Sequence, residues 1–156
     1  MRAGFALVFL TLLMPLGAHA DTAARFDQGI DGCYSTIGEG GRQTAEYLAD
    51  AGWNGDADDE MGLGWLYPDG TEDPFITVAI DGSFCQIEST SLGSEAAAGQ
   101  LRRYLETKGA AHDPDKDEMG CTRFDLGDGY AVTITSGGDD PTCASDKNSA
   151  LRFTYE

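Results

Sequence analysis

The feature that most constrains this chain is its set of four cysteines, Cys33, Cys85, Cys121 and Cys143, set behind a leader-like N-terminus. An even number of cysteines in an exported chain favours a disulfide framework, here of two bridges. No CxxC pair is present and no histidine stands at zinc-finger spacing, so these thiols do not read as a zinc site. Export itself is read from "MRAGFALVFLTLLMPLGAHA". Arg2 supplies a positive start, Phe5 to Leu13 form an apolar core too short to span a bilayer, and Ala18-His19-Ala20 is a small-x-small cleavage pattern. Residues 1–20 are therefore expected to be a signal peptide and 21–156 a single exported domain in the periplasm or medium. A bacterial source suits so short a leader. No internal repeat or linker stands out in the remainder.

Hydropathy patterning places the cysteines on elements. Phe26, Ile30, Cys33 and Ile37 recur at helical spacing over 22–37, with Gly38 as a stop. "RQTAEYLADAG" fits a second helix ending at Gly52, and "WNGDADDE" reads as an acidic loop. Leu63, Trp65 and Tyr67 alternate as a short strand before a Pro-Asp-Gly turn. In "FITVAIDGSFCQIES" the Asp81-Gly82 pair is the chemistry of a two-residue hairpin turn. That turn pairs Ile80 with Ser83, Val78 with Cys85 and Ile76 with Ile87, so Ile76, Val78, Ile80, Cys85 and Ile87 share one apolar face. Ser94 is placed as the cap of a third helix running to Lys108. "CTRFDLGDGYAVTIT" reads as a second hairpin about Gly127-Asp128-Gly129, and "ALRFTYE" as a last strand. The expected fold is α+β: an antiparallel sheet of about five to six strands, two N-terminal helices, one inserted helix and two disulfides.

Those placements narrow the pairing. Cys33 faces inward from a helix and Cys85 inward from the sheet. Cys121 begins one hairpin strand, and Cys143 follows the end of the other by a short loop. Cys33–Cys85 and Cys121–Cys143 are the expected bonds.

The chain carries 27 Asp and Glu against 10 Lys and Arg, a formal charge of −17; without residues 1–20, which hold Arg2 and no carboxylate, it is −18. Such a field repels phosphate polyanions and anionic membranes and attracts cationic proteins. Asp56 and Asp58 in "NGDADDE", and Asp113, Asp115 and Asp117 in "HDPDKDE", alternate as oxygen ligands for calcium do. Neither stretch is an EF-hand, because Asp59 and Glu118 stand where its turn needs glycine. The expectation is therefore no cofactor, with weak calcium binding as the alternative. His112 lacks a nucleophile, and no GxSxG, SxxK or HExxH motif accompanies it, so it reads as a surface residue. Trp53, Trp65 and Tyr67 beside those aspartates are candidate ligand-binding platforms, including for sugars. The leading expectation is a non-catalytic, exported acidic binding or accessory protein that engages a cationic protein. A calcium-dependent, carbohydrate-type binding domain and a hydrolase with an unrecognised carboxylate pair are the alternatives.

Overall fold

The computed structural model describes residues 17–110, 113–138 and 142–155, with side chains from residue 21 onward. The apolar part of the expected leader and His112 lie outside the described residues. The elements run α1 (Gly17–Thr36), α2 (Gly41–Ala49), β1 (Trp53–Asp58), β2 (Leu63–Pro68), β3 (Phe75–Ala79), β4 (Phe84–Ser89), α3 (Ser94–Lys108), β5 (Asp115–Lys116), β6 (Thr122–Gly127), β7 (Tyr130–Thr135) and β8 (Ser149–Tyr155). All eight strands join one antiparallel sheet in the order β1-β2-β3-β4-β8-β7-β6-β5. No described helix is long and apolar enough to cross a membrane.

The α+β class, the three helices and the antiparallel sheet match the sequence expectation, but the strand number does not. The additional strands are β1, in the "WNGDAD" stretch read as a loop, and the two-residue β5. Asn, Gly and Asp have poor strand propensity, and what holds β1 is its continuous pairing with β2 from Trp53↔Pro68 to Asp58↔Leu63. Both additions are edge strands with charged side chains, Asp56 and Asp58 on β1 and Asp115 and Lys116 on β5, which discourage edge-to-edge association.

Period-2 alternation decides which sheet face is covered. Leu66, Ile76, Val78, Cys85, Ile87, Leu151, Phe153, Val132, Ile134 and Phe124 face one way and form a single core with Phe26, Ile30 and Cys33 of α1, Leu48 of α2, and Ala97, Leu101 and Leu105 of α3. All three helices thus lie on the same side. Cys33 is bonded to Cys85, with Cα atoms 5.3 Å apart, and Cys121 to Cys143, at 4.7 Å. The first bond clamps α1 onto β4, a central strand. Gly29 makes that approach close: a Cβ there would stand 1.9 Å from Ile87 Cδ1, a buried core atom. Its role is packing space, beyond the helix-weakening its residue type implies.

The Asp81-Gly82 hairpin has the expected register, with Val78↔Cys85 and Ile76↔Ile87 paired. Ile80 falls outside β3 and is 38% exposed, so it does not extend the apolar face. In the second hairpin Phe124↔Val132 pair as expected. A bulge at Leu126 then brings Gly127 opposite Tyr130, leaving Asp128 and Gly129, both at positive φ, as the turn. Ser94 is the first residue of α3 rather than its cap, which is Gly93. The Ser94 hydroxyl is drawn to the Thr135 and Asn148 carbonyls and accepts from the Ser145 N–H, tying α3 to the loop before β8.

The strand order also exposes an internal symmetry: two four-stranded meanders, β1–β4 and β5–β8, meet through their last strands. The sequence carries a trace of it. "DEMG" occurs at 59–62 between β1 and β2, and again at 117–120 between β5 and β6. Both glycines have positive φ, 69° and 86°, and both methionines, Met61 and Met119, are about 60% exposed, at 59% and 61%. The strands that follow end on Asp69-Gly70 and Asp128-Gly129, with positive φ at both glycines.

One polar cluster joins the three helices. Asp31 of α1 accepts from Tyr47 of α2 at 2.7 Å and from Tyr104 of α3 at 2.6 Å, and Lys108 lies 3.4 Å away. Burial alone would raise the Asp31 pKa. The hydrogen bonds from Tyr104, Tyr47 and Lys108 outweigh it and hold the carboxyl below its ordinary value.

Two predictions follow from these contacts. Breaking Cys33–Cys85, whose residues are 52 apart in sequence, removes about 4 kcal/mol in the chain-entropy account; breaking Cys121–Cys143, 22 apart, removes about 3 kcal/mol. Urea unfolding of Cys33→Ala/Cys85→Ala and of Cys121→Ala/Cys143→Ala checks the order. Asp31→Asn lowers stability at neutral pH. A carboxyl with depressed folded-state pKa stabilises above its unfolded pKa and loses that contribution as pH falls through the folded value. The deficit of Asp31→Asn therefore shrinks in acid, which denaturation at stepped pH measures.

Candidate functional site: the uncovered sheet face

The strand residues that alternate with the core point to the face carrying no described helix. Strand register assembles them into rows. One row crosses all eight strands: Asp56↔Trp65, Trp65↔Thr77, Thr77↔Gln86, Gln86↔Arg152, Arg152↔Thr133, Thr133↔Arg123 and Arg123↔Asp115. A neighbouring row runs Asn54↔Tyr67 on one side and Phe75↔Glu88↔Ala150 on the other. Tyr67 and Phe75 stack between them, with ring centroids 6.0 Å apart. A third row pairs Phe84 with Thr154, and Arg152 lies 4.4 Å from the Phe84 ring centroid.

The aromatic side chains of this face lie on its β2–β4 half, Arg152 and Arg123 lie on the half formed by β8 and β6, and carboxylates stand at both margins. Trp65, Phe75 and Phe84 are half-buried and Tyr67 is exposed, while Asp56 on the β1 edge and Asp115 and Asp125 on the β5 side are exposed carboxylates. Aromatic and arginine side chains inside a polar rim are the usual composition of a protein-binding patch. Near the centre, Gln86 is 4% exposed. Its Nε2 donates to Glu88 Oε1 at 2.8 Å, and Oε1 has no hydrogen-bond partner among the described residues. Glu88 is itself engaged, because its Oε2 accepts from the Gly138 N–H at 2.9 Å. An acceptor buried without a partner is costly, by about 1–3 kcal/mol.

The sequence candidates separate on this frame. Trp65, Tyr67, Asp56 and Asp115 share the uncovered face. Trp53 does not: it is 3% exposed on the helix side, and its Nε1 donates to Gln28 Oε1 at 3.3 Å. Asp58 Oδ1 accepts the Glu60 and Met61 N–H groups, and Asp117 Oδ1 accepts those of Met119 and Cys121. These two carboxylates thereby hold the two turns. Asp113, Asp115, Asp117, Glu118 and Asp125 line an open cavity of about 400 Å³ together with Lys116 and Arg123. Among the described residues, no group of three or more His, Cys, Asp or Glu is placed to hold a metal ion. None of the described Asp or Glu side chains is fully buried. Sequence reasoning did not pick out Gln86, Phe75, Phe84 or Arg152. Phe84 and Gln86 flank Cys85 in the hairpin, so its register already assigned them to the outer side. No family model matches this chain, and comparison with curated proteins and with solved structures finds no similar protein.

Gln86→Leu tests whether that amide serves folding. Removing both polar groups leaves the unfolding free energy within about 1 kcal/mol of the parent or raises it, as thermal or urea unfolding will show.

Proposed function

We propose that this chain is a non-catalytic binding module, exported to an oxidising compartment, that docks a basic protein on its uncovered sheet face. The observation that carries the reading is the face itself: Trp65, Tyr67, Phe75 and Phe84 gathered on its β2–β4 half, with the carboxylates of Asp56, Asp115 and Asp125 toward its margins. A cationic protein supplies the charge that the carboxylates at the margins and the −17 net charge attract. Two disulfides accord with an oxidising compartment, and the leader-like pattern of residues 1–20 supports export, periplasmic or secreted. Disulfide bonding also leaves the four cysteines without the thiolate that nucleophilic chemistry uses.

The test is affinity capture from the native extracellular or periplasmic fraction, with the captured protein then re-measured in purified form. Trp65→Ala and Tyr67→Ala each weaken the purified complex at least about tenfold, the scale of a central aromatic contact. Raising salt from about 0.05 M to about 0.5 M weakens it as well, because exposed charges are screened. Binding indifferent to both substitutions contradicts the docking face, and binding indifferent to salt contradicts the basic partner. Binding that requires calcium and is abolished by a chelator favours the calcium-dependent alternative.

A further inference from the structure

The row that crosses the uncovered face begins with aspartate and has threonine third from either margin. From β1 inward it runs Asp56, Trp65, Thr77 and Gln86; from β5 inward it runs Asp115, Arg123, Thr133 and Arg152. The strand order makes β1 the counterpart of β5 and β2 that of β6, so Trp65 and Arg123 hold matching places beside matching carboxylates. In the β5 half the chain supplies the carboxylate with its own cation. Arg123 stands directly opposite Asp115 and lines an open cavity with Asp113, Asp117 and Asp125. In the β1 half Trp65 takes that place. Among the described residues, no cation pairs with the Asp56 carboxylate and no hydrogen bond reaches it. No ring or cation is stacked on Trp65 among them either.

We propose, building on the docking of a basic protein at this face, that an arginine of the partner fills at Trp65 the place that Arg123 fills in the other half. Its guanidinium lies on the Trp65 indole and donates to the Asp56 carboxylate. The same face already holds an arginine on an aromatic ring, since Arg152 lies 4.4 Å from the Phe84 centroid. Side chains directly opposite on paired strands have Cβ atoms about 5 Å apart, and a cation acts on a ring within about 6 Å of its centroid, so one guanidinium reaches both groups. Arginine suits the pair better than lysine. Its planar group stacks flat while its edge N–H groups face the carboxylate, and it is less strongly hydrated than an ammonium. A neutral sugar stacked on Trp65 would leave Asp56 without a counter-charge, and an anion would be repelled by it.

A titration of the oxidised chain tests this, followed by the two tryptophan indole N–H signals in a proton–nitrogen correlation spectrum and assigned with Trp65→Phe. The probes are the end-blocked peptides Gly-Gly-Arg-Gly-Gly and Gly-Gly-Lys-Gly-Gly, with cellobiose as the neutral sugar. The arginine peptide is expected to shift the Trp65 signal saturably and to leave Trp53, buried on the helix side, in place. The lysine peptide binds about threefold or more weaker, the scale of a cation–π contact at an exposed site. Asp56→Asn, nearly isosteric and on the exposed β1 edge, weakens the arginine peptide by about the same factor. Glu106→Gln, on α3 behind the opposite face, changes net charge by the same unit and leaves binding as it was. The proposal is overturned by an absence of saturable shift at millimolar arginine peptide, or by equal binding of the lysine peptide. Indifference to Asp56→Asn, equal weakening by Glu106→Gln, or a Trp65 response to cellobiose alone overturns it too. Any of these, beside a captured partner that still depends on Trp65 and Tyr67, removes the arginine contact and leaves the docking face standing. A captured partner indifferent to Trp65→Ala and Tyr67→Ala removes both.

Discussion

The attachment of α1 to the middle of the sheet governs the rest of this structure. Cys33 lies on the same helical stripe as Phe26 and Ile30, and Cys85 on the same strand face as Ile87. Their bond fixes the helix against β4, beside the seam where the two meanders meet. Gly29 lets the backbone come close enough for that geometry, since any side chain there would displace Ile87. Once α1 is held on this side, α2 and α3 follow it through the shared apolar core and through Asp31. One layer of helices then covers one face of an eight-stranded sheet. The opposite face keeps aromatic side chains at its surface, which a sheet with two covered faces would have buried.

The two-meander order shows how so wide a sheet is assembled from modest parts. Each half contributes three antiparallel pairings and a charged outer strand, and the halves join through β4 and β8, whose six paired positions run from Phe84↔Thr154 to Ser89↔Ser149. Charged side chains on both edge strands limit further strand addition. Because β4 and β8 are central, Gln86 and Arg152 lie midway along the row that crosses that face, farthest from the solvated margins. That is where a desolvated contact contributes most to binding.

Much of this was legible in the sequence where local chemistry and burial agree. The Asp81-Gly82 turn fixes a register, the register orients Cys85, and the helical stripe orients Cys33, so the first disulfide follows from three local patterns. The second follows from the start of β6 and the short reach of the loop to Cys143. Reading failed where tertiary pairing overrides composition. β1 is built from Asn, Gly and Asp and is a strand only because β2 lies beside it. Ile80 has the residue type of the core but sits past the last paired residue of its strand. Ser94 has the residue type of a cap, yet its hydroxyl is taken by the loop around Ser145. The symmetry of the strand order was masked because the halves share little beyond "DEMG" and an Asp-Gly turn; it is the strand order that makes those short identities meaningful. The candidate face was half legible. Trp65 and Tyr67 stood out by alternation, whereas Trp53, an aromatic of the same stretch, lies one strand over and on the opposite side.

The central claim is that oxidised cysteines hold the three described helices to one side and leave the opposite face without a described helix. The measurement that meets it most directly is peptide mapping of the purified chain by mass spectrometry without reduction. The account predicts two cross-linked peptide pairs, Cys33 with Cys85 and Cys121 with Cys143, and no alkylatable thiol. Free thiols at Cys33 and Cys85, or a bond joining either of them to Cys121 or Cys143, would contradict it.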